Sequence, residues 1–162
     1  MRFSTLILAS LAGLATANFD LYLGHQIIPV DGGVLHDGWY IFDNDPTKAD
    51  VLAYGPYLSQ DDVSGRMTGV RCVGSGCYGG AATDINVLEM HFSNNPLYHW
   101  TIYKDRGHPY KMYGLDGRTY GECILFPGVS FHHMTNFAET RSGVRKFRCL
   151  TQFTARQIRA AN

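Results

Sequence analysis

Residues 85–104 read INVLEMHFSNNPLYHWTIYK, and this stretch decides the fold class. From Ile85 to Phe92 the residues alternate. Leu88, Met90 and Phe92 fall on one face of an extended strand and Val87, Glu89 and His91 on the other, because successive strand side chains point to opposite sides. Asn94-Asn95-Pro96 supplies a turn, since Asn tolerates turn geometry and Pro cannot donate to a ladder. Tyr98–Lys104 (YHWTIYK) then returns, rich in residues that suit a pleated surface. The two runs are predicted to form an antiparallel hairpin.

The same grammar extends outward. Asp116-Gly117, between Lys111–Leu115 and Arg118–Phe126, is the strongest hairpin signal in the chain. Gly38–Phe42 (GWYIF), Met67–Val73 and Val144–Thr151 (VRKFRCLT) read as further strands. Asp45-Pro46-Thr47 offers a capping residue and a Pro at the first helical position, so Thr47–Tyr54 is predicted as a short helix that Gly55-Pro56 stops. Thr154–Ala161 (TARQIRAA) suits a short closing helix with Thr154 as its cap. The predicted class is β-rich, all-β or α+β: an antiparallel sheet or sandwich with one or two short helices.

Met1–Ala17 reads MRFSTLILASLAGLATA: a basic residue at Arg2, an apolar run from Leu6 to Leu14, and Ala15-Thr16-Ala17 as a small-residue cleavage site. That order is the pattern of a secretory signal peptide, so residues 1–17 are expected to be a leader and 18–162 a single secreted, extracellular globular domain. The apolar run is shorter than the roughly 20 residues of a membrane-spanning helix, and no stable membrane insertion is expected. Cys72, Cys77, Cys123 and Cys149 all follow the leader, and an even count in an exported chain points to two disulfides. Cys72–Cys77 with Cys123–Cys149 competes with Cys72–Cys149 and Cys77–Cys123. The flexible Val73-Gly74-Ser75-Gly76 link leans towards the first.

The chain has 14 Lys+Arg and 14 Asp+Glu, a formal net charge of zero, and only 17% charged residues. With 13% aromatics it is too apolar for a disordered chain. The zero hides a gradient. Asn18–Gly65 holds Asp20, Asp31, Asp37, Asp43, Asp45, Asp50, Asp61 and Asp62 against Lys48 alone. Arg141–Asn162 holds Arg141, Arg145, Lys146, Arg148, Arg156 and Arg159 and no acid. Either the two ends lie together and neutralise each other, or the basic end faces outward and binds a polyanion such as RNA. In an unbroken strand Arg145 shares a face with Phe147, and Lys146 with Arg148.

Glu89–Tyr120 is the densest polar and aromatic stretch. Glu89 and His91 share a strand face, and His99 on the returning strand is positioned to oppose them. A carboxylate, two imidazoles and a guanidinium, here Arg106, are the parts of metal-free RNA cleavage: a base for the 2′-hydroxyl, an acid for the leaving oxygen, and a cation for the phosphorane. Tyr98-His99-Trp100, followed by a strand ending in Phe126-Pro127, loosely resembles the microbial guanyl-specific ribonucleases, although His99 stands where their strand motif favours Glu. Adjacent His132-His133 point to opposite strand faces, and no His-Glu-x-x-His, Gly-x-Ser-x-Gly or Walker motif occurs, so no metal or cofactor is expected.

The leader, the four cysteines and the runs Gly38–Phe42, Leu88–Phe92, His99–Arg106 and Arg145–Cys149 resemble uncharacterised small secreted proteins of filamentous fungi, which are commonly candidate effectors. That resemblance implies secretion, disulfides and an unknown host or microbial protein as partner. The leading expectation is therefore a non-enzymatic interaction protein, a fungal effector active in virulence. Its candidate contacts are Tyr98, Trp100, Tyr103, Arg106, Tyr110 and Tyr113, since exposed aromatics and Arg are favoured at interfaces, with Arg145, Lys146 and Arg148 for a polyanion. The alternative is a secreted ribonuclease or ribonuclease-like toxin using Glu89, His91, His99 and Arg106.

Overall fold

A computed structural model describes residues 17–29, 33–135 and 137–161. The expected leader, apart from Ala17, and Asp31 of the acidic stretch lie outside the described residues. The elements are β1 (Ala17–Ile28), β2 (Val34–Phe42), α1 (Lys48–Ala53), β3 (Tyr57–Leu58), β4 (Gly69–Val73), β5 (Val87–His91), β6 (His99–Tyr103), β7 (Tyr110–Gly114), β8 (Thr119–Leu125), β9 (Ser130–Met134), β10 (Thr140–Thr151) and α2 (Ala155–Arg159). The strands form one antiparallel sheet in the order β3-β2-β1-β10-β8-β7-β6-β5-β4, with β9 also pairing β10.

The ends of that sheet nearly meet. Ser59, just past β3, bridges Val70 of β4, and the Gln60 amide donates to the Val70 carbonyl at 3.0 Å. Gly69 permits the approach: its φ is +147°, and a Cβ there would sit 2.7 Å from the Leu58 carbonyl oxygen. The fold is thus an antiparallel sheet curled almost into a barrel, which protects most strand edges.

The predicted hairpin is β5–β6, in the register His91↔His99, Glu89↔Thr101 and Val87↔Tyr103. The second hairpin, β7–β8, turns at Leu115-Asp116. Gly117 follows at φ +76°, a left-handed conformation that glycine takes without a Cβ penalty. Alternation sends Leu88, Met90, Trp100 and Ile102 inward, where they meet Phe19, Leu21, Trp39, Ile41 and Phe147. Phe19 stacks on Trp100 at 6.1 Å and Trp100 on Phe153 at 5.2 Å. α2, capped by Thr154 as predicted, plugs one end with buried Ala155 and Ile158. The disulfides are Cys72–Cys77 and Cys123–Cys149, the latter joining directly paired positions of β8 and β10.

A second apolar layer, Tyr22, Tyr40, Phe42, Val51 and Phe131, covers the outer side of β1 and β2 beneath α1. The cap of α1 is Thr47, not Asp45. Thr47 and Asp50 form a reciprocal capping box, which fixes the helix start after Pro46. Arg141 Nη1 donates to the carbonyls of Val51 (2.7 Å), Leu52 and Tyr54 (both 3.2 Å), satisfying the other end of the helix. Asp45 is left to receive Arg145 Nη1 at 2.5 Å.

Strand β10 breaks its own alternation. Leu21 pairs Phe147, but the next residue, Tyr22, pairs Arg145, so Lys146 is the extra residue of a β-bulge. The expected pairing of faces is therefore corrected. Phe147 faces the core, and Arg145 joins Arg148 on the outer face above Asp20. Asp20 is fully buried and accepts from Arg148 Nε (2.6 Å) and Nη2 (2.8 Å) and from Arg145 Nη1 (2.9 Å). Asp43 accepts from the Ala155 amide at 2.5 Å, and Arg159 donates to the Ile41 carbonyl. The acidic beginning and the basic end thus lie together. Arg145 and Lys146 are buried and do not form the outward basic patch.

Candidate functional site

The outer face of β4–β5–β6 carries the acid–base cluster. Register places Arg71 opposite Glu89 and His91 opposite His99. Arg71 Nε donates to Glu89 Oε2 at 2.9 Å, and His99 Nε2 donates to Glu89 Oε1 at 3.0 Å. The two imidazoles stack with centroids 4.2 Å apart and planes 13° from parallel. His91 Nδ1 donates to the Val63 carbonyl at 2.8 Å. Burial alone would raise the Glu89 pKa. Hydrogen bonds from Arg71 and His99 outweigh it and hold the carboxyl below its ordinary range. Burial pushes the His99 imidazole down and neighbouring His91 adds to that, while Glu89 opposes both.

Three of the four predicted acid–base residues therefore converge. Arg106 does not join them, and Arg71 occupies the guanidinium position instead. Sequence reasoning missed Arg71, whose strand was legible but whose pairing with β5 was not. The cluster is poorly disposed for RNA cleavage. His91 and His99 are each only 3% exposed, covered by the β3–β4 connection, whose Val63 is itself fully buried. A general base or acid must come within hydrogen-bond reach of the substrate, about 2.6–3.2 Å. His91 Nδ1 is committed to Val63 and His99 Nε2 to Glu89, and the lowered pKa of His99 makes that imidazole a poor proton donor. What the arrangement does physically is clasp the β3–β4 connection to the barrel wall.

Arg106 belongs to a different site. It ends the one-turn segment Lys104–Arg106 after β6, and its guanidinium lies over the rings of Tyr103 (4.0 Å) and Tyr113 (4.8 Å), which are 6.2 Å apart. Arg106 is exposed, both tyrosines are half-buried, and among the described residues Arg106 makes no ion pair. Of the other contact candidates, Trp100 is fully buried and Tyr98 packs on Trp100 and Phe153. Tyr110 is corrected from contact residue to core. It pairs with Cys123, which turns it inward, and it is 1% exposed with its ring edge-on to Phe147 at 5.5 Å.

Among the described residues no group of three or more His, Cys, Asp and Glu converges as a metal site, and no helix is long and apolar enough to cross a membrane. Comparison with protein-family models, with curated proteins and with solved structures finds no match to this chain.

Proposed function

We propose that this chain is a non-enzymatic secreted interaction protein, a fungal effector that docks a host or microbial protein through the face bearing Tyr103, Arg106 and Tyr113. The observation that carries this reading is the Arg106 guanidinium held over two tyrosine rings on an exposed face. Arg and Tyr are enriched among interface anchors, and an Arg already stacked loses less conformational freedom on binding than a free one. The leader pattern and the two disulfides support export. The burial of His91 and His99 argues for binding over ribonuclease chemistry.

Two measurements test it. Purified protein incubated with RNA is expected to cleave no faster than a Glu89→Ala/His99→Ala variant. A partner captured from host extracellular fluid by the wild-type chain is expected to be lost by Arg106→Ala/Tyr113→Ala while the melting temperature holds. RNA cleavage abolished by His99→Ala overturns the proposal in favour of the ribonuclease, and capture indifferent to Arg106 removes the surface.

A further inference from the structure

The barrel end opposite α2 is covered by the segment between β4 and β5. Between that segment, the end of β8 and the bulged middle of β10 lies a cleft of about 350 Å³, lined by Gly80, Ala82, Leu125, Pro127, Val144 and Lys146 among others. Its walls are chiefly apolar; the polar side chains along them are Lys146, Thr83 and Arg145, and the Arg145 guanidinium is already committed to Asp20, Asp45 and the Phe126 carbonyl. This lysine is the extra residue of the β10 bulge, and the bulge turns its side chain out of the ladder and towards the covering segment.

Lys146 is 4% exposed, and among the described residues its ammonium has one partner, the Gly80 carbonyl. An ammonium has three donors, so two have no partner among the described residues. Among the described residues no carboxylate pairs with it, unlike Arg145 and Arg148 on the same strand, which share Asp20. A smaller cleft of about 150 Å³, lined by Phe131 and Gly143, reaches the same lysine. Buried charges are normally paired, because desolvating an ion costs more than burial of its stem returns. Burial accordingly pushes the Lys146 amine below its ordinary value, with no acid to offset it.

We propose that this cleft is a binding site for a small amphiphile with an anionic head, a medium-chain carboxylate, with Lys146 Nζ as its counter-charge and Leu125, Pro127 and Val144 against its tail. At roughly 30 Å³ per methylene-sized group, as for a water in the liquid, the volume accommodates a ligand of about twelve heavy atoms. A head at Lys146 supplies the missing counter-ion and takes the free donors as charge-assisted hydrogen bonds. A tail along the walls removes apolar surface from water. Ligand pockets are commonly built in this way, with apolar walls and few polar groups that fix orientation. The site lies apart from the Arg106 face, and the two assignments stand independently.

The test is calorimetric titration of the full disulfide-bonded protein with decanoate, 1-decanol and acetate, each below its aggregation limit. Decanoate is expected to bind with one-to-one stoichiometry, and 1-decanol and acetate at least tenfold more weakly, since each lacks half of what the site recognises. Lys146→Met, which keeps the stem and removes the charge, is expected to weaken decanoate at least tenfold. Val144→Trp, at a half-exposed position on the wall, is expected to do the same by filling the cleft, and it serves if Lys146→Met does not fold. Amide shifts confined to Gly79–Thr83 and Val144–Lys146 locate the ligand. Absence of saturable decanoate binding, equal affinity for decanoate and 1-decanol, or undiminished affinity in the folded variants overturns the proposal.

Discussion

The carboxylate of Asp20 and the guanidinium of Arg148 face each other as two parallel prongs, Nε to Oδ1 at 2.6 Å and Nη2 to Oδ2 at 2.8 Å. Asp20 lies on β1 and Arg148 on β10, 128 residues apart in sequence and directly paired in the sheet. Arg145 adds a third bond to the same carboxylate, and its Nε donates to the Phe126 carbonyl at 2.9 Å. This junction ties the acidic start of the domain to its basic end. It also shows why a zero net charge says little by itself. The opposing charges are segregated along the chain and brought together by one strand pair.

Asp20→Ala leaves two guanidinium groups without their shared carboxylate. Asp20 is fully buried and the Arg145 side chain is only 7% exposed, so removing one partner is expected to cost about 3–5 kcal/mol, read as a lower urea midpoint. Replacing all three together, as Asp20→Leu/Arg145→Met/Arg148→Met, is expected to cost much less, because the one charge left unpaired, Asp45, is more than half exposed to water. Equal losses in the two variants would contradict the role assigned to the pair.

Apart from exposed Arg156, the basic residues of the tail are engaged within the fold, so weak polyanion binding is expected. The protein is expected to elute from heparin at low salt. Arg145→Ala and Arg148→Ala are expected to lower the unfolding midpoint while leaving that elution position unchanged. A clear drop in heparin retention with folding preserved counts against internal neutralisation.

Stability is expected to fall on acidification in two stages. The His99 imidazole has its folded pKa below the ordinary 6.5. Between those values the unfolded chain binds more protons than the folded one, so stability is complete above about pH 6.5 and declines as pH falls towards the folded value. The Glu89 carboxyl lies below its ordinary 4.5, and its contribution, present above that pH, is lost as pH falls through its folded value. His99→Gln is expected to flatten the first stage, measured as melting temperature between pH 7 and about pH 5. An unchanged slope would show that His99 does not control it.

The two disulfides differ in how much chain they close. Cys123–Cys149 spans 26 residues and Cys72–Cys77 spans 5. The chain-entropy relation gives about 3.5 kcal/mol for the longer loop and about 2 kcal/mol for the shorter. Replacing the pair Cys123/Cys149 by Ala is therefore expected to destabilise by about 1.5 kcal/mol more than replacing Cys72/Cys77, as read from urea denaturation. The reverse order would mean that native packing at Cys72–Cys77 outweighs the loop effect.

Much of this architecture was legible in local pattern. The β5–β6 and β7–β8 hairpins, the closing helix with its Thr154 cap and the helix near Thr47 follow from alternation, turn residues and caps, which act over a few positions. β1, the partner of both β2 and β10, carries no local strand signature, and neither does β9. Part of β1 adjoins the expected leader, and its run through Leu21, Tyr22 and Leu23 does not alternate because both of its faces are buried. At the site, Glu89, His91 and His99 were found from hairpin reasoning, whereas Arg71 required the β4–β5 register.

What the sequence by itself determined is therefore the β-rich class, the hairpins, the caps and the segregation of charge, each written in spacings of a few residues. The tertiary structure decided the rest. It curled the sheet until Ser59 met Val70 and turned Tyr110 inward through its pairing with Cys123. It moved Arg145 to the face of Arg148 through a single bulged residue, Lys146, and it covered the imidazoles with Val63. The physical reason is register. A shift of one residue between strands distant in sequence exchanges every side chain between core and surface, and no local pattern records it.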